Sequence, residues 1–274
     1  MNMLEENHKY LSLSAQCRLL GLCRTSLYYR SIMNSDSEIA NVIKEIYLKS
    51  DCRYGYRKIT HSLKGYNLVV NHKKVLKVMH DIGIQGIYPR KFINTTTKDS
   101  HAIFPYLLEG VVINRVNQVW ATDITYISLP GRFMYFIAII DLYSRYIITH
   151  ELSSNLEAGF CVDTLKVALS KGKPDIFNTD QGSQFTSNDF VNTLKKVNVQ
   201  ISMDHKGRCF DNIVVERLWR TLKQEAIYYY RPETISDLDK CINEFVLWYN
   251  NERLHQSLDY KTPKHVYMNN LRLH

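Results

Sequence analysis

The sequence predicts an α/β domain with a mixed five-stranded sheet and helices on both faces, preceded by an all-α, helix-turn-helix-like basic region. Residues 119–152 are rich in Val, Ile, Thr and Tyr and are divided by short turns, which is typical of an antiparallel meander. Residues 156–203 alternate between helical patterns and short apolar runs. The first hundred residues combine amphipathic helices with the whole excess of positive charge.

Positive charge is concentrated in the N-terminal part of the chain. The net charge is +8, and residues 1–100 hold 16 Lys and Arg against 8 Asp and Glu, whereas residues 101–274 hold 19 of each. A basic segment joined to a neutral one predicts nucleic-acid binding, because cationic side chains bind phosphates regardless of base sequence. The open alternative is a solvated basic surface without a partner.

The remaining composition indicates a cytoplasmic protein without a membrane segment. The chain has 274 residues, of which 45% are hydrophobic, enough for two domains or for one domain with appendages. No CxxC pair occurs among the six cysteines, which predicts reduced thiols. The longest apolar run, Phe133 to Ile140, is far too short to cross a bilayer, and the N-terminus lacks a signal-peptide pattern.

Residues 1–90 are predicted to be a basic helical DNA-binding region. Residues 12–30 have a weak helix-turn-helix outline, in which Ser14 caps a first short helix and Gly21 ends it. An ordinary helical hairpin fits this segment equally well. Residues 37–49 form a clearer amphipathic helix, because apolar residues recur at i, i+3, i+4 and i+7 from Ile39.

A further helix of this region, which runs from Asn71 as its cap to about residue 82, carries lysines together on one side. Lys73, Lys74 and Lys77 lie apart from its apolar residues, so the helix is predicted to dock on DNA. A solvated lysine face is the alternative. Arg57 is a candidate phosphate or base contact, although it could equally pack within the region.

The later elements follow in the order β-β-β-α-β-α-β-α, which is the ribonuclease-H-like order. A linker is predicted over residues 91–112, a core domain over 113–230, and a helical extension over 231–274 with an amphipathic helix at about 236–249. An extended strand is also expected around 110–113. The predicted strands and helices of the core are 119–129, 133–142, 146–152, 156–170 (helix), 176–179, 187–197 (helix), 199–203 and a helix that begins at 211 or 212.

Three acids of the core are candidates for one metal site. Asp123 lies inside an apolar strand, where a carboxylate is costly to bury unless it is paired or binds a metal. Asp180 ends a strand and Glu216 lies in a helix, so the three can meet only in the fold. Converged carboxylates without a nearby Cys or His pair suit Mg²⁺ or Mn²⁺ and indicate two-metal phosphodiester chemistry. The alternatives are a solvent-facing strand position, a turn aspartate and a surface helix; Asp141, a competing acid, is expected to shape a turn.

The helix that carries Glu216 has two distinct faces. Asn212, Arg220 and Lys223 share the face of Glu216, because they lie four residues before it and four and seven after it. The apolar residues at i, i+3 and i+7 are expected to pack on the sheet: Val215, Leu218 and Leu222. The acid and the cations would then point together into a site or groove.

These motifs resemble the catalytic subunit of bacterial insertion-sequence transposases of the DDE type, which is encoded by the second reading frame of a two-frame element and whose core is similar to retroviral integrases. The segments that resemble the three catalytic motifs are WATDITYI at 120–127, TDQGSQF at 179–185 and GRCFDNIVVERLWRTLKQE at 207–225. Two more resemble flanking signatures: RYGYRKI at 53–59 and YNNERLHQSLDYKTP at 249–263. The resemblance implies that Asp123, Asp180 and Glu216 are the catalytic acids and that Lys223 is the basic residue of the third motif.

The resemblance implies a DNA transposase that cuts a strand at the element's end and joins the freed 3′-hydroxyl to target DNA, with two Mg²⁺ (or Mn²⁺) ions held by the three acids. Lys223, Arg220 and Asn212 would hold the DNA near them. The implied partners are double-stranded DNA, further copies of this chain, and the protein of the first reading frame, separate or fused. Two other classes stay open, namely a ribonuclease-H-like nuclease without strand transfer and a DNA-binding regulator with an inactive core.

Overall fold

The computed structural model of the protein describes residues 10–21, 36–87, 104–204 and 213–271, and within them five strands form one mixed sheet. The strands are β1 (Val119–Leu129), β2 (Arg132–Asp141), β3 (Ile147–Ser153), β4 (Ile176–Thr179) and β5 (Gln200–Met203). Their order is β3-β2-β1-β4-β5, antiparallel from β3 to β1 and parallel from β1 to β5. The predicted fold class is thereby confirmed, with β1 at the centre.

The N-terminal region is helical in its described parts, as predicted. It contains α1 (Leu13–Leu19), α2 (Asp36–Lys49), α3 (Tyr56–Ser62), a 3₁₀ turn (Leu63–Tyr66) and α4 (His72–Asp81). Asn71 caps α4 as predicted, since its Oδ1 accepts a hydrogen bond from the Lys73 amide at 2.9 Å. The cap of α1 is Ser12 rather than Ser14, because the Ser12 hydroxyl accepts from the amide three residues on. The second helix of the predicted outline falls in residues 22–35, outside the described ranges.

The remaining helices belong to the core and to the C-terminal extension. They are α5 (Ala158–Lys171), α6 (Asn188–Lys196), α7 (Ile213–Leu222), a π-helical turn (Lys223–Ile227), α8 (Tyr228–Tyr230), α9 (Ile235–Asn251) and α10 (Pro263–Leu271). The π-helical turn and α10 were not expected, because a register change within one helix and a polar, turn-rich composition give no periodic signal. The short α8 was not expected either, whereas the other helices match the predicted segments to within a few residues.

Alternation along the strands divides the core into two layers. One face of the sheet packs on α7 and α9 and buries residues such as Ala121 and Ala138. The opposite face packs on α5 and α6 and buries Trp120, Ile137 and Phe177. Helices therefore cover both faces, as predicted, and every odd-numbered position of β1 near its centre projects towards α7.

Residues 104–118 approach the sheet without forming a strand. The strand expected around 110–113 is absent from this described stretch, where a turn at residues 109–110 places Gly110 at a φ of +73°. Before this turn, the Leu107 amide donates to the Ser202 hydroxyl at 3.0 Å, and the Met203 amide donates to the Pro105 carbonyl at 3.3 Å. This segment is therefore held along β5.

The described helices and cysteines bear on the expected lack of a membrane segment and on the expected reduced thiols. None of the helices placed within those ranges is long and apolar enough to cross a membrane. The cysteines placed there carry free thiols: Cys17, Cys52, Cys161 and Cys241.

Candidate active site

Asp123 lies at the middle of β1, directly opposite Ala138 of β2. Its odd position in the strand turns the side chain towards α7. The Trp219 indole donates to its Oδ2 at 2.8 Å, and the amide of Ile124 donates to its Oδ1 at 2.7 Å. The carboxylate is therefore partly buried and held by two donors.

Asp180 lies beside Asp123 because β1 and β4 run parallel. Their ladder ends at the pair Ala121 and Asn178, and each aspartate is the second residue after this pair, so the parallel register directs both to the same part of the sheet. The Gly182 amide donates to Asp180 Oδ1 at 2.9 Å, and a Cβ at Gly182 would lie 2.9 Å from that same oxygen. Only glycine fits this close approach without a shift.

Glu216 is brought to this face of the sheet by α7. The apolar side of α7 packs inward as predicted, since Val215, Leu218 and Leu222 are all buried. Glu216 itself is exposed. It lies one turn before Trp219, whose indole reaches β1, so the helix presents Glu216 next to the strand that carries Asp123.

The pKa of Asp123 reflects its burial and the charges of the other two acids. Its pKa is raised to about 6, first by burial, then by the negative charge of Asp180, with Glu216 adding to the rise. The hydrogen bonds from Trp219 and Ile124 act in the opposite direction. Acids from β1, from the end of β4 and from α7 thus lie in one electrostatic environment.

The donor set of this environment fits a divalent cation. Carboxylates that repel one another are costly to ionise, and a cation among them removes that cost. Their oxygens are the hard ligands that Mg²⁺ and Mn²⁺ prefer. No three acidic, His or Cys side chains in the described part of the chain already stand close enough to hold an ion.

Two cationic candidates lie on or just after the helix of Glu216. Arg220 is exposed near the end of α7. Lys223 is half-buried at the start of the π-helical turn; burial lowers its pKa, and the charge of Asp123 raises it. Lys223 therefore lies within electrostatic reach of the acids. Asn212, the third candidate on this face, falls outside the described ranges.

The other DNA-contact candidates lie in the N-terminal region. Lys73 and Lys77 are exposed on α4, and Lys74 is half-buried. Arg57 is exposed on α3, where its guanidinium donates to the Tyr56 hydroxyl at 3.1 Å. These cations lie on α3 and α4, neither of which contributes one of the three acids.

Asp141, the competing acid, is fully buried at the end of β2. Its Oδ1 accepts hydrogen bonds from the amide and the hydroxyl of Ser144 at 2.7 and 2.6 Å, and its Oδ2 accepts from the Asn117 amide at 2.7 Å. This carboxylate organises the turn after β2, as the sequence led us to expect.

Asp204 extends the row of acids along the sheet. The parallel register of β4 and β5 pairs Thr179 with Met203, so the residues that follow, Asp180 and Asp204, are neighbours. Asp204 Oδ1 accepts a hydrogen bond from the Asn178 amide group at 2.9 Å. Asp204 was not predicted from the sequence. The one sequence feature that points to it is its position directly after β5, which matches the position of Asp180 directly after β4.

The two segments that resemble flanking signatures, 53–59 and 249–263, lie close together, and we call this region the N–C junction. The buried guanidinium of Arg53 stacks on Trp248, 4.2 Å from the ring centroid, and donates to the Tyr230 hydroxyl at 2.9 Å. Sequence alone left open whether this tyrosine-rich N-terminal segment contacts DNA or packs. Arg53 packs against the C-terminal extension.

A buried ion pair lies at the centre of the N–C junction. Arg253 donates two hydrogen bonds to the Glu225 carboxylate at 2.9 and 2.8 Å. Burial and repulsion from Arg253 lower the pKa of Lys58 to about 8, and the same two causes lower the pKa of His255 to about 2. Because Glu225 lies in the π-helical turn, the junction connects the N-terminal region to the helix of Glu216.

Three family models match the chain. A model described as "HTH-like domain" matches residues 35–92. A model described as "Integrase core domain" matches residues 113–209, and a second model with that description matches residues 197–263. Together they cover both the helical region with the lysines and the region with the three acids.

Relatives of known name extend the similarity over most of the chain. The InsK protein of insertion sequence element IS150 of Escherichia coli strain K12 is 30% identical over 271 residues, 96% of each chain. The transposase for insertion sequence element IS904 of Lactococcus lactis subsp. lactis strain IL1403 is 33% identical over 232 residues, which are 82% of this chain and 92% of the relative. Among solved structures, the HTLV-2 integrase catalytic core domain in complex with magnesium matches 56% of this chain and 97% of its own, with 20% identity and a TM-score of 0.47.

Proposed function

The chain belongs to the insertion-sequence transposases with an integrase core domain, and we propose that Asp123, Asp180 and Glu216 form its site for strand cleavage and strand transfer. The protein is a DNA transposase of the DDE type. The assignment of the acids is supported by the hydrogen bond from Trp219 to Asp123, which docks the helix of Glu216 on the strand of Asp123, next to the strand that Asp180 follows. The charges of Asp180 and Glu216 add to the raised pKa of Asp123, as expected for acids that share one site.

We propose that the three acids bind two Mg²⁺ or Mn²⁺ ions. When bound, such ions generate a nucleophile from water or a 3′-hydroxyl and stabilise the attacking and leaving oxygens of a phosphodiester. Asp123 and Asp180 would supply ligands from adjacent strands, and Glu216 would supply one from the helix that packs on them. These acids would act as ligands rather than as nucleophiles, so we expect no covalent bond between protein and DNA.

Cations around the site would bind the DNA strand and align it. Lys223, whose pKa is lowered by burial and raised by the charge of Asp123, would contact a phosphate close to the reacting one. Arg220, exposed three residues earlier, would contact the strand further out, and Asn212 would contact it near the start of α7. Their role is binding and orientation, because none of them can accept a proton readily at neutral pH.

The basic region at residues 1–90 would hold flanking duplex DNA through α3 and α4. Lys73, Lys74, Lys77 and Arg57 are the proposed phosphate contacts. The linker at 91–112, the core at 113–230 and the extension at 231–274 complete the proposed division of the chain. The DNA substrates would be the element's ends and a target duplex, in the cytoplasm.

We also propose that the transposase works as a homo-oligomer on DNA, with the first-frame protein as a separate or fused partner. Two ends of one element must be held together for transfer into one target, which favours more than one active site. Sedimentation of the chain with and without a terminal-repeat duplex tests this proposal. A monomer on DNA at concentrations that support strand joining would contradict it.

The acids are tested by Asp123→Asn, Asp180→Asn and Glu216→Gln. The substrate is a duplex that carries the terminal repeat read from DNA flanking the coding sequence. Each variant should lose Mg²⁺-dependent strand cleavage by at least about a hundredfold while binding the duplex as the wild type does, because ligand oxygens are lost and no DNA contact is. Asp163→Asn, at an exposed position of α5, is the matched control and should cleave normally.

Two outcomes would change the proposal. A fully active Glu216→Gln protein would remove Glu216 from the site. Metal-dependent cleavage that never proceeds to joining, even with ends already cut, would identify the protein as a nuclease of this fold instead.

A further inference from the structure

Trp219 makes a contact that the proposed mechanism does not use. Its side chain is 7% exposed and lies on α7, one turn after Glu216. The indole Nε1–H donates a hydrogen bond to Asp123 Oδ2 at 2.8 Å. The bond joins the helix that carries one proposed metal ligand to the strand that carries another.

We infer that Trp219 is a positioning residue, which holds the carboxylate of Asp123 in the orientation in which it binds a metal ion. The inference rests on the proposed function, since it takes Asp123 to be a ligand. Metal-binding side chains are commonly oriented by hydrogen bonds from residues outside the coordination shell, and loss of such a bond typically costs about 10- to 100-fold in metal affinity or activity.

The two donors leave the carboxylate of Asp123 little rotational freedom. The Ile124 amide donates to Oδ1 at 2.7 Å while the Trp219 indole donates to Oδ2, so the carboxylate plane is fixed from both ends. Each carboxylate oxygen has a second lone pair with which it can bind a cation. The hydrogen bonds therefore orient the group without using up its capacity as a ligand.

The indole is itself a rigid donor. Phe136 of β2 packs on it edge to face, with 5.5 Å between the ring centroids and 74° between the ring planes. Buried Leu218 precedes it in the face of α7 that packs on the sheet. A mobile donor would allow the Asp123 carboxylate to turn towards solvent, whereas this one is fixed by packing on both the strand and the helix.

Trp219 also makes the placement of two acids interdependent. Glu216 is three residues earlier on α7, so a shift of the helix that breaks the indole bond also displaces Glu216. The orientation of Asp123 and the position of Glu216 therefore both depend on how α7 packs on β1.

The test is Trp219→Phe in the full chain, which keeps an aromatic ring against Phe136 and removes the N–H donor. Mn²⁺ binding without DNA is measured from the electron paramagnetic resonance signal of the free ion, and strand cleavage is measured across Mn²⁺ concentrations. We expect the dissociation constant and the half-saturating Mn²⁺ concentration each to rise by about tenfold or more, with unchanged duplex affinity.

Trp120→Phe is the matched control. Its fully buried indole donates to Asn117 Oδ1 at 3.0 Å, on the opposite face of the sheet from Asp123. The same N–H donor is lost, but no proposed ligand is touched. Mn²⁺ binding by this variant should equal that of the wild type.

A second substitution covers the case in which Trp219→Phe does not fold. 3-Benzothienylalanine at position 219 replaces the N–H by sulfur and keeps the fused ring, so only the hydrogen bond changes. Wild-type Mn²⁺ affinity in either folded protein would overturn the positioning role. If Asp123→Asn loses Mn²⁺ binding while the Trp219 variants keep it, only this inference is wrong; if Asp123→Asn also binds as the wild type does, the proposed metal site is wrong too.

Discussion

At the residue scale, the carboxylate of Asp123 lies on the central strand β1, where the charges of Asp180 and Glu216 act on it. Its raised pKa, about 6 against 3.8 for an ordinary aspartate, means that the folded protein binds this proton more tightly than the unfolded chain does. The ionised carboxylate therefore opposes folding at neutral pH when no cation is present. Such a cost is common where a site is built for binding rather than for stability.

Asp123→Asn should remove the pH dependence that this carboxylate gives to the free energy of unfolding when no divalent ion is present. In the wild type, stability should fall as the pH rises from about 4 to about 6, because over this interval the folded state keeps a proton that the unfolded chain has lost. The asparagine variant should lack this slope. Urea denaturation in EDTA across that pH range measures the slope in both proteins, and an equal slope in the two would contradict the prediction.

The residue scale also separates what the sequence can predict from what it cannot. The buried face of α7 was predictable, because Val215, Leu218 and Leu222 recur at helical spacing and all are buried. The bond from Trp219 to Asp123 was not, because it joins residues 96 positions apart that meet only when α7 packs on β1. The position of Asp204 could not be predicted for a related reason, because the register of β4 and β5 that brings it towards Asp180 is set by tertiary structure.

At the element scale, the N–C junction joins α3, the π-helical turn and the end of α9. Its ion pair has side-chain exposures of 13% for Arg253 and 15% for Glu225, and Lys58 adds a second cation to one carboxylate. Aromatic rings stabilise the excess positive charge: Arg53 stacks on Trp248, and the Lys58 ammonium lies 4.9 Å from the centroid of Tyr54. The helix of Glu216 is thus held at its far end by a charged cluster.

Glu225→Gln should lower the free energy of unfolding by about 3 kcal/mol, because it leaves buried Arg253 without its carboxylate and next to Lys58. Adding Arg253→Met should recover part of the loss, since the orphaned charge is then removed as well. Urea denaturation at pH 7 measures the cycle. Glu244→Gln, which changes an exposed residue of α9, is the control and should lose little stability. If Glu225→Gln lowers the free energy of unfolding as little as Glu244→Gln does, the ion pair is not important for stability.

Lys58 gives the junction a pH dependence of its own. Its pKa of about 8 lies below the ordinary 10.5, so as the pH rises the folded protein loses this proton before the unfolded chain does. The free energy of unfolding should therefore rise between about pH 8 and pH 10. Lys58→Met should remove the rise and should be more stable than the wild type at pH 7. Unfolding of both proteins in urea across that interval checks the sign, and Lys64→Met, at an exposed position, should behave as the wild type.

The elements differ in how much of them the sequence could predict. The strands and amphipathic helices were predictable from periodicity, which local residues set. The packing of the 53–59 segment on the C-terminal extension was not, because Arg53 and Trp248 are far apart in sequence and either could have served elsewhere. A charged or aromatic residue fits a DNA contact and a packed position equally well until the residue that it contacts is known.

At the scale of the whole molecule, a basic helical region accompanies a core of balanced charge. The charge difference between residues 1–100 and the remainder fits a division of labour, in which one part holds the DNA duplex and the other carries out the chemistry. The fold of the core was predictable because the order of strands and helices leaves few topologies. The contact between the two parts was not, because composition does not specify how regions dock.

Replacing Lys73 and Lys77 by Ala should weaken duplex binding and reduce the slope of log affinity against log salt by up to about 2, because each phosphate contact contributes about 0.9. Both lysines are exposed on α4, so the fold should be unaffected. Fluorescence anisotropy at several salt concentrations measures the slope. The control is Lys240→Ala with Lys264→Ala, which removes two exposed charges from the C-terminal extension; an equal change there would show that α4 has no special role.

The most direct measurement is strand joining by a terminal-repeat duplex that already carries a free 3′-hydroxyl, because it isolates the transfer step at the three acids. The wild type should join this end to a target duplex only when Mg²⁺ or Mn²⁺ is present. Asp180→Asn should bind the same duplex and give no joined product, while Asp163→Asn should join normally. Joining by Asp180→Asn at the wild-type rate, or joining by the wild type in EDTA, would contradict a metal-dependent transposase site built from Asp123, Asp180 and Glu216.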